Sequence, residues 1–247
     1  MASRDDWQRR LGPLYGGAVA LVHSTPWRWP VEVGDDPRAA GWLVVLGLPI
    51  GVAAWAIAAL AHAAGLPVTV AALLGLAGLS LASAALIERG LAERIDHWDR
   101  ARDGRASGGL GVTSLLVIVF TTLVRAAAIA ALPASQWLAV FVAAAVVGRW
   151  AAMFLQALGE PIGPDATGRS LVAAPAPAWL AAAISLGVAV LAVVAIGKAG
   201  ILALAVAAIA AFALGLQAQR RDGGLSAPAV AMVAAIGELS VLLIASA

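Results

Sequence analysis

Residues 88–105 read Glu88-Arg89-Gly90-Leu91-Ala92-Glu93-Arg94-Ile95-Asp96-His97-Trp98-Asp99-Arg100-Ala101-Arg102-Asp103-Gly104-Arg105. Five of the fourteen carboxylates and five of the sixteen basic residues of the chain fall here, between two long apolar runs. At helical periodicity Arg89, Glu93, Asp96, Arg100 and Asp103 share an arc of about 80°, and Leu91, Ile95 and Trp98 lie opposite. The spacing predicts one amphipathic helix. Its charged face has two readings. Glu93 and Asp96, three residues apart, can hold one hard cation between their oxygens. Alternatively the face is solvated and laced with i,i+4 pairs such as Arg89–Glu93 and Asp96–Arg100.

On both sides of this helix the chain is written for lipid. Of its 247 residues 62% are hydrophobic and only 12% charged, with mean hydropathy +0.93. A soluble domain carries about twice that share of charge. Seven runs are near the length needed to cross a hydrocarbon core: 41–64, 68–87, 112–132, 137–158, 178–196, 199–216 and 229–245. The expected fold is all-α, a polytopic membrane helix bundle of about seven transmembrane helices in a single membrane domain over 1–247. Residues 1–40 form an interfacial segment, with a short surface helix over Gly12–His23 and Trp27 and Trp29 at headgroup level. The bundle occupies 41–247.

Thirteen of the sixteen Lys and Arg sit in the N-terminal tail and the loops at 88–108, 159–177 and 217–228. The alternate turns carry only Lys198. The positive-inside rule then places the N-terminus and these three loops in the cytoplasm and the C-terminus outside. Seven spans make that alternation consistent.

Arg125, Arg149 and Glu238 lie inside spans, where a charge costs about 2.5–3.5 kcal/mol on insertion scales. They can line a polar cavity that takes a phosphorylated anion, which guanidinium groups bind bidentately. They can equally pair with one another as structural glue. The glycine-rich Ser107-Gly108-Gly109-Leu110-Gly111 can bring backbone N–H groups to a phosphate, or serve as a flexible turn. With no cysteine, thiolate catalysis and Cys-based metal sites are excluded. Nucleic acid is not an expected partner, because no basic stripe is interleaved with aromatics. His23, His62 and His97 show no metal-ligand spacing, and no Walker loop, nucleophile elbow or zinc-peptidase pattern is present. No cleavable signal peptide is evident at the N-terminus.

The order of several short motifs resembles the cobalamin synthases, membrane adenosylcobinamide-GDP ribazoletransferases of vitamin B12 assembly, from about Thr25 to the C-terminus. Arg38-Ala39-Ala40-Gly41-Trp42 and Gly47…Ile50-Gly51 resemble the approach to that family's first span. Arg89-Gly90-Leu91-Ala92-Glu93-Arg94-Ile95-Asp96 is similar to its metal motif Asp-Gly-Leu-Ala-Asp-x-x-Asp, with Arg89 and Glu93 in place of two aspartates. Arg149-Trp150 resembles its fourth-span arginine. Gly223-Gly224-Leu225-Ser226 through Glu238 resembles its Gly-Gly-x-Thr-Gly-Asp…Glu-x-x-Glu ending, with Ala227, Pro228 and Ala235 departing from it.

The resemblance implies a bacterial inner-membrane phosphotransferase. It would join adenosylcobinamide-GDP to α-ribazole or its 5′-phosphate with release of GMP. It implies Mg²⁺ on Glu93 and Asp96 with Glu88, catalytic roles for Arg149, Arg89 and Glu238, and substrate binding by Arg38, Arg169, Ser107, Gly109, Gly111, Gly223, Gly224 and Ser226. The implied partners are the corrinoid nucleotide, the ribazole and membrane lipid, and a homo-oligomer is left open. Two other readings stand beside it: a catalytically degenerate homologue that binds a corrinoid precursor or scaffolds partners, and a small transporter.

Overall fold

The structure, a computed structural model, describes residues 4–27, 36–103, 111–159, 171 and 175–247. The described elements are helices: α1 (Arg4–Leu11), α2 (Tyr15–Ser24), α3 (Ala39–Ala63), α4 (Val68–Ala82), α5 (Leu86–Asp103), α6 (Val112–Ala130), α7 (Trp137–Leu158), α8 (Ala178–Ile196), α9 (Ala199–Asp222) and α10 (Ala227–Ser246). Short 3₁₀ turns at Gly12–Leu14 and Ala134–Gln136 precede α2 and α7. Among the described residues six helices are long and apolar enough to cross a membrane, and α4 with α5 makes a seventh span if that bent pair is counted as one. The chain is a multi-pass membrane bundle.

Helix α7 forms the middle of the bundle and is mostly buried, whereas α8 lies at the rim and is mostly uncovered. Alanine and glycine let the backbones meet, as membrane helices require when no hydrophobic effect drives them together. A side chain at Gly51 would sit 2.6 Å from the Val142 Cα, and one at Gly47 would sit 2.9 Å from the Ala145 carbonyl oxygen. These two glycines, four residues apart, seat α3 on α7. The Trp137 indole N–H reaches the Ile129 carbonyl at 3.1 Å and fastens the α6–α7 turn. Trp150 donates to Ser185 at 2.9 Å and ties α7 to α8.

The helices differ from the sequence expectation in three places. The run expected to span 68–87 stops at Ala82, and α5 leaves at 83° to α4. Ala84 and Ala85 adopt left-handed backbone, φ 53° and 52°. The turn is closed by hydrogen bonds from Ala85 N–H to the Ser80 carbonyl at 2.7 Å and from Ala84 N–H to that of Leu81 at 3.1 Å. Helix α9 continues through Asp222, so most of the loop expected at 217–228 is helical. Residues 12–23 do not form one helix. A 3₁₀ turn leads into α2, which packs on the start of α3 with Tyr15, Val19 and Ala20 buried. Trp27 is exposed, and Trp29 lies outside the described residues.

Hydrogen bonds join the ends expected to share one face. Gly111 N–H, before α6, reaches Asp96 of α5 at 3.1 Å. Gln219 of α9 donates to the Leu158 carbonyl at the end of α7 at 3.2 Å. Arg94 of α5 pairs with Asp222 at the end of α9.

Candidate functional site

The charges placed inside spans converge. Arg125 is the fourteenth of 19 residues of α6, Arg149 the thirteenth of 22 of α7, and Glu238 the twelfth of 20 of α10. Glu238 Oε2 lies 3.4 Å from Arg125 Nη2, and its Oε1 lies 3.9 Å from Arg149 Nη1. Glu88, in the first turn of α5, completes the set with Oε1 3.5 Å from Arg125 Nη1. Two guanidinium groups thus meet two carboxylates.

Hydroxyls of the broken α4 supply further partners. Ser80 donates to Glu88 Oε1 at 2.5 Å, and Arg149 Nη2 donates to Ser83 Oγ at 2.6 Å. Arg149 Nη1 also reaches the Ala145 carbonyl at 3.0 Å. Arg149 and Glu238 are each only 1% exposed. Four polar atoms, Arg125 Nε, Arg149 Nε, Glu88 Oε2 and Glu238 Oε1, are buried without a hydrogen bond. The group is held mainly by charge, which is strong where water is scarce. Five helices meet at it, and it pins the start of α5 where α4 breaks. The alternative of mutual pairing, rather than guanidinium groups lining an open cavity, describes Arg149 and Glu238.

Further along α5 the side chains separate by face. Arg94 is 3% exposed; it pairs with Asp222 and lies 5.3 Å over the Trp98 ring. Asp222 also faces His97 Nε2 at 3.7 Å. On the opposite face Arg89 Nε donates to Glu93 at 2.7 Å in an exposed i,i+4 pair. Asp96 Oδ1 accepts from the Gly111 N–H and from the Ser114 hydroxyl, so it caps the first turn of α6 from outside that helix. A carboxylate there is favoured by the free N–H groups and the helix dipole. Gly90 faces Ala231 so closely that no side chain fits between α5 and α10.

The sequence-predicted site residues therefore divide. Glu88, Arg149 and Glu238 come together, joined by Arg125. Arg89 pairs with Glu93, and Gly111 meets Asp96. Gly223, in left-handed backbone at φ 76°, closes α9 beside Asp222, Gly224 is buried, and Ser226 stands at the N-cap of α10. Arg38 is at the start of α3, exposed, against an apolar groove lined by Trp42 and Trp179. Arg169, Ser107 and Gly109 lie outside the described residues.

The three carboxylates expected to hold Mg²⁺ do not converge. Glu88 turns to Arg125 and Ser80, Glu93 to Arg89, and Asp96 to the start of α6. Among the described residues no three metal-ligating groups meet. As arranged, the donor set does not fit a magnesium ion.

Sequence reasoning missed Arg94, Asp222, Ser80 and Ser83 as partners. Arg94 had a readable signal: on the helical wheel it falls about 40° from Trp98, beside the apolar arc rather than on the charged one. The serines had none, because nothing local marks a hydroxyl that reaches across a helix break, as Ser80 does to Glu88, or serves a helix 66 positions away, as Ser83 does for Arg149.

Comparison with known proteins adds the remaining observation. A family model described as CobS, cobalamin-5-phosphate synthase, matches residues 18–246. Neither a curated protein nor a solved structure matches the chain. The matched region runs from α2 to the end of α10 and takes in the ionic cluster, α5 and the Gly223–Gly224 corner. The chain belongs to the cobalamin-5-phosphate synthase family, membrane enzymes of cobalamin biosynthesis.

Proposed function

We propose that this protein joins adenosylcobinamide-GDP to α-ribazole, or to its 5′-phosphate, at the face where α5, α6, α9 and α10 meet, and that this face is cytoplasmic in a bacterial inner membrane. The observation that carries the reading is the family match across residues 18–246. In this reaction a ribazole oxygen bonds to the phosphorus nearer the cobinamide. The bond from that phosphorus to the bridging oxygen breaks, GMP leaves with that oxygen, and the proton of the attacking hydroxyl is released. The charge to be met is that of a pyrophosphate. Around Asp222 the exposed basic residues are His97, Arg220 and Arg221, and arginines beside a glycine corner suit phosphate oxygens. The buried cluster acts behind this face by fixing the start of α5.

Magnesium would supply charge neutralisation and alignment in such a transfer. For Glu93 and Asp96 to hold it, one must leave Arg89 and the other the start of α6. No step is therefore assigned to the metal. The same geometry favours a second reading, a homologue that binds the corrinoid precursor without turning it over.

One experiment separates them: complementation of a bacterial strain lacking cobalamin synthase, with product formation followed in isolated membranes. Corrinoid product from the wild type, reduced at least tenfold in an Arg220→Glu, Arg221→Glu double variant, supports transfer at this face. Binding of adenosylcobinamide-GDP with no product supports the second reading. Neither binding nor product defeats both.

A further inference from the structure

A long apolar groove opens sideways between α3 and α8, on the rim of the bundle. Its wide end, about 800 Å³, lies where both helices begin and is bordered by Arg38, Trp42 and Trp179. A narrower stretch of about 280 Å³ continues between Leu48 and Leu191 over a floor that includes Val146 of α7. Val45 and Ile184 line both parts, so they are continuous. From Trp179 to Leu191 the α8 wall runs twelve residues, about 18 Å at the helical rise. That is close to the reach of one fatty-acyl chain across a leaflet, which is half of a core about 30 Å thick.

Three observations choose the occupant. The first is charge. Arg38 is exposed at the wide end, beside indole rings suited to the membrane–water boundary. Its neighbour Asp36 accepts the Arg38 backbone N–H at 2.7 Å, and no described carboxylate pairs with the guanidinium. The groove is thus apolar along its length and cationic at its end.

The second is Gly187. A side chain there would meet nothing within 4 Å, although glycine in mid-helix is about 1 kcal/mol worse than alanine. This glycine does not serve helix contact; it leaves the groove deep. The third is the rest of the wall. Val45, Leu48 and Trp179 are large and exposed, whereas surfaces where membrane helices dock favour small residues.

We propose that this groove holds one acyl chain of an anionic glycerophospholipid, with the lipid phosphate against Arg38. The site is separate from the ionic cluster and from the α5 face, and places an ordered lipid at the junction of the N-terminal segment with α3 and α8.

The test is lipid retention. The protein is reconstituted in nanodiscs of equimolar dioleoyl phosphatidylglycerol and dioleoyl phosphatidylcholine, released into detergent, and examined by native mass spectrometry. The wild type is expected to keep one phosphatidylglycerol in about fivefold preference to phosphatidylcholine, the factor for one basic residue near an anionic surface. Arg38→Ala should bring that ratio close to one, and Arg38→Lys should keep most of it. Gly187→Leu, whose side chain enters open space, should lower retention of both lipids severalfold at unchanged helix content. A wild type without preference, an Arg38→Ala variant that keeps it, or a Gly187→Leu variant that retains lipid normally would each overturn the proposal. Lipid-free dimers as the main species would also overturn it and give the groove to a second copy of the chain.

Discussion

Arg149 shows how little of a side chain's role lies in its own charge. Buried to 1% exposure, Arg149 is a partner for Glu238 and Ser83 before it is anything else. Removing one member of a buried ion pair strands the other, at a cost of about 3–5 kcal/mol. Arg149→Ala should therefore destabilise the protein by that amount, read as the unfolding midpoint in denaturant with the protein in detergent micelles. A loss under about 1 kcal/mol would mean that water reaches Glu238, against its burial.

Asp96 makes the opposite point, because its reading as a metal ligand and its reading as a cap predict different variants. Asparagine keeps an oxygen that accepts from the Gly111 N–H and the Ser114 hydroxyl and gives up only the charge, worth about 0.3–1 kcal/mol near a helix N-terminus. Asp96→Asn should thus cost less than about 1 kcal/mol, while Asp96→Ala, which also leaves both donors without their acceptor, should cost about 1–3 kcal/mol, measured in the same way. If Asp96→Asn keeps its stability and loses complementation, the carboxylate charge itself is needed for function.

The break between α4 and α5 is the feature that sets where the charged helix begins. Without it Glu88 would continue the line of α4 instead of turning toward Arg125. The apolar run through Ile87 contains no proline or glycine after Gly78 to announce a stop, so the pattern predicts an unbroken span. Two alanines accept left-handed backbone there at about 1–2 kcal/mol each, and the hydrogen bonds at Ser80 and Ser83 with the packing of α5 on α10 offset that strain. Relief of it is measurable. Ala85→Gly should raise the thermal midpoint of the detergent-solubilised protein, corresponding to about 1 kcal/mol. A lower midpoint would show that this residue does not hold positive φ. The other helix ends were more legible because turn chemistry marks them: Gly65-Leu66-Pro67, Pro133 and Gly197 fall between helices as expected.

Across the whole bundle, alternation of basic and neutral connections implies that all the charged loops share one side of the membrane. The absence of cysteine makes this easy to test with single-cysteine variants. In intact cells Lys198→Cys, in the turn between α8 and α9, should react with a membrane-impermeant maleimide. Arg221→Cys should react only after permeabilisation. The reverse pattern would invert the proposed orientation.

Composition and periodicity were enough to establish a helical membrane protein with spans near their observed places, because lipid admits few ways to satisfy a backbone and apolar length is a local property. They also marked Arg125, Arg149 and Glu238 as unusual, since charge in hydrocarbon stands out in any reading. Which charge meets which was settled by packing. The Arg89–Glu93 pair was readable from its i,i+4 spacing, but Asp96 found the start of α6, Arg94 turned inward to Asp222, and Glu88 met Arg125. These choices depend on the angle at which α5 leaves α4 and on helices far apart in the chain, and neither is encoded in the spacing of residues along one helix.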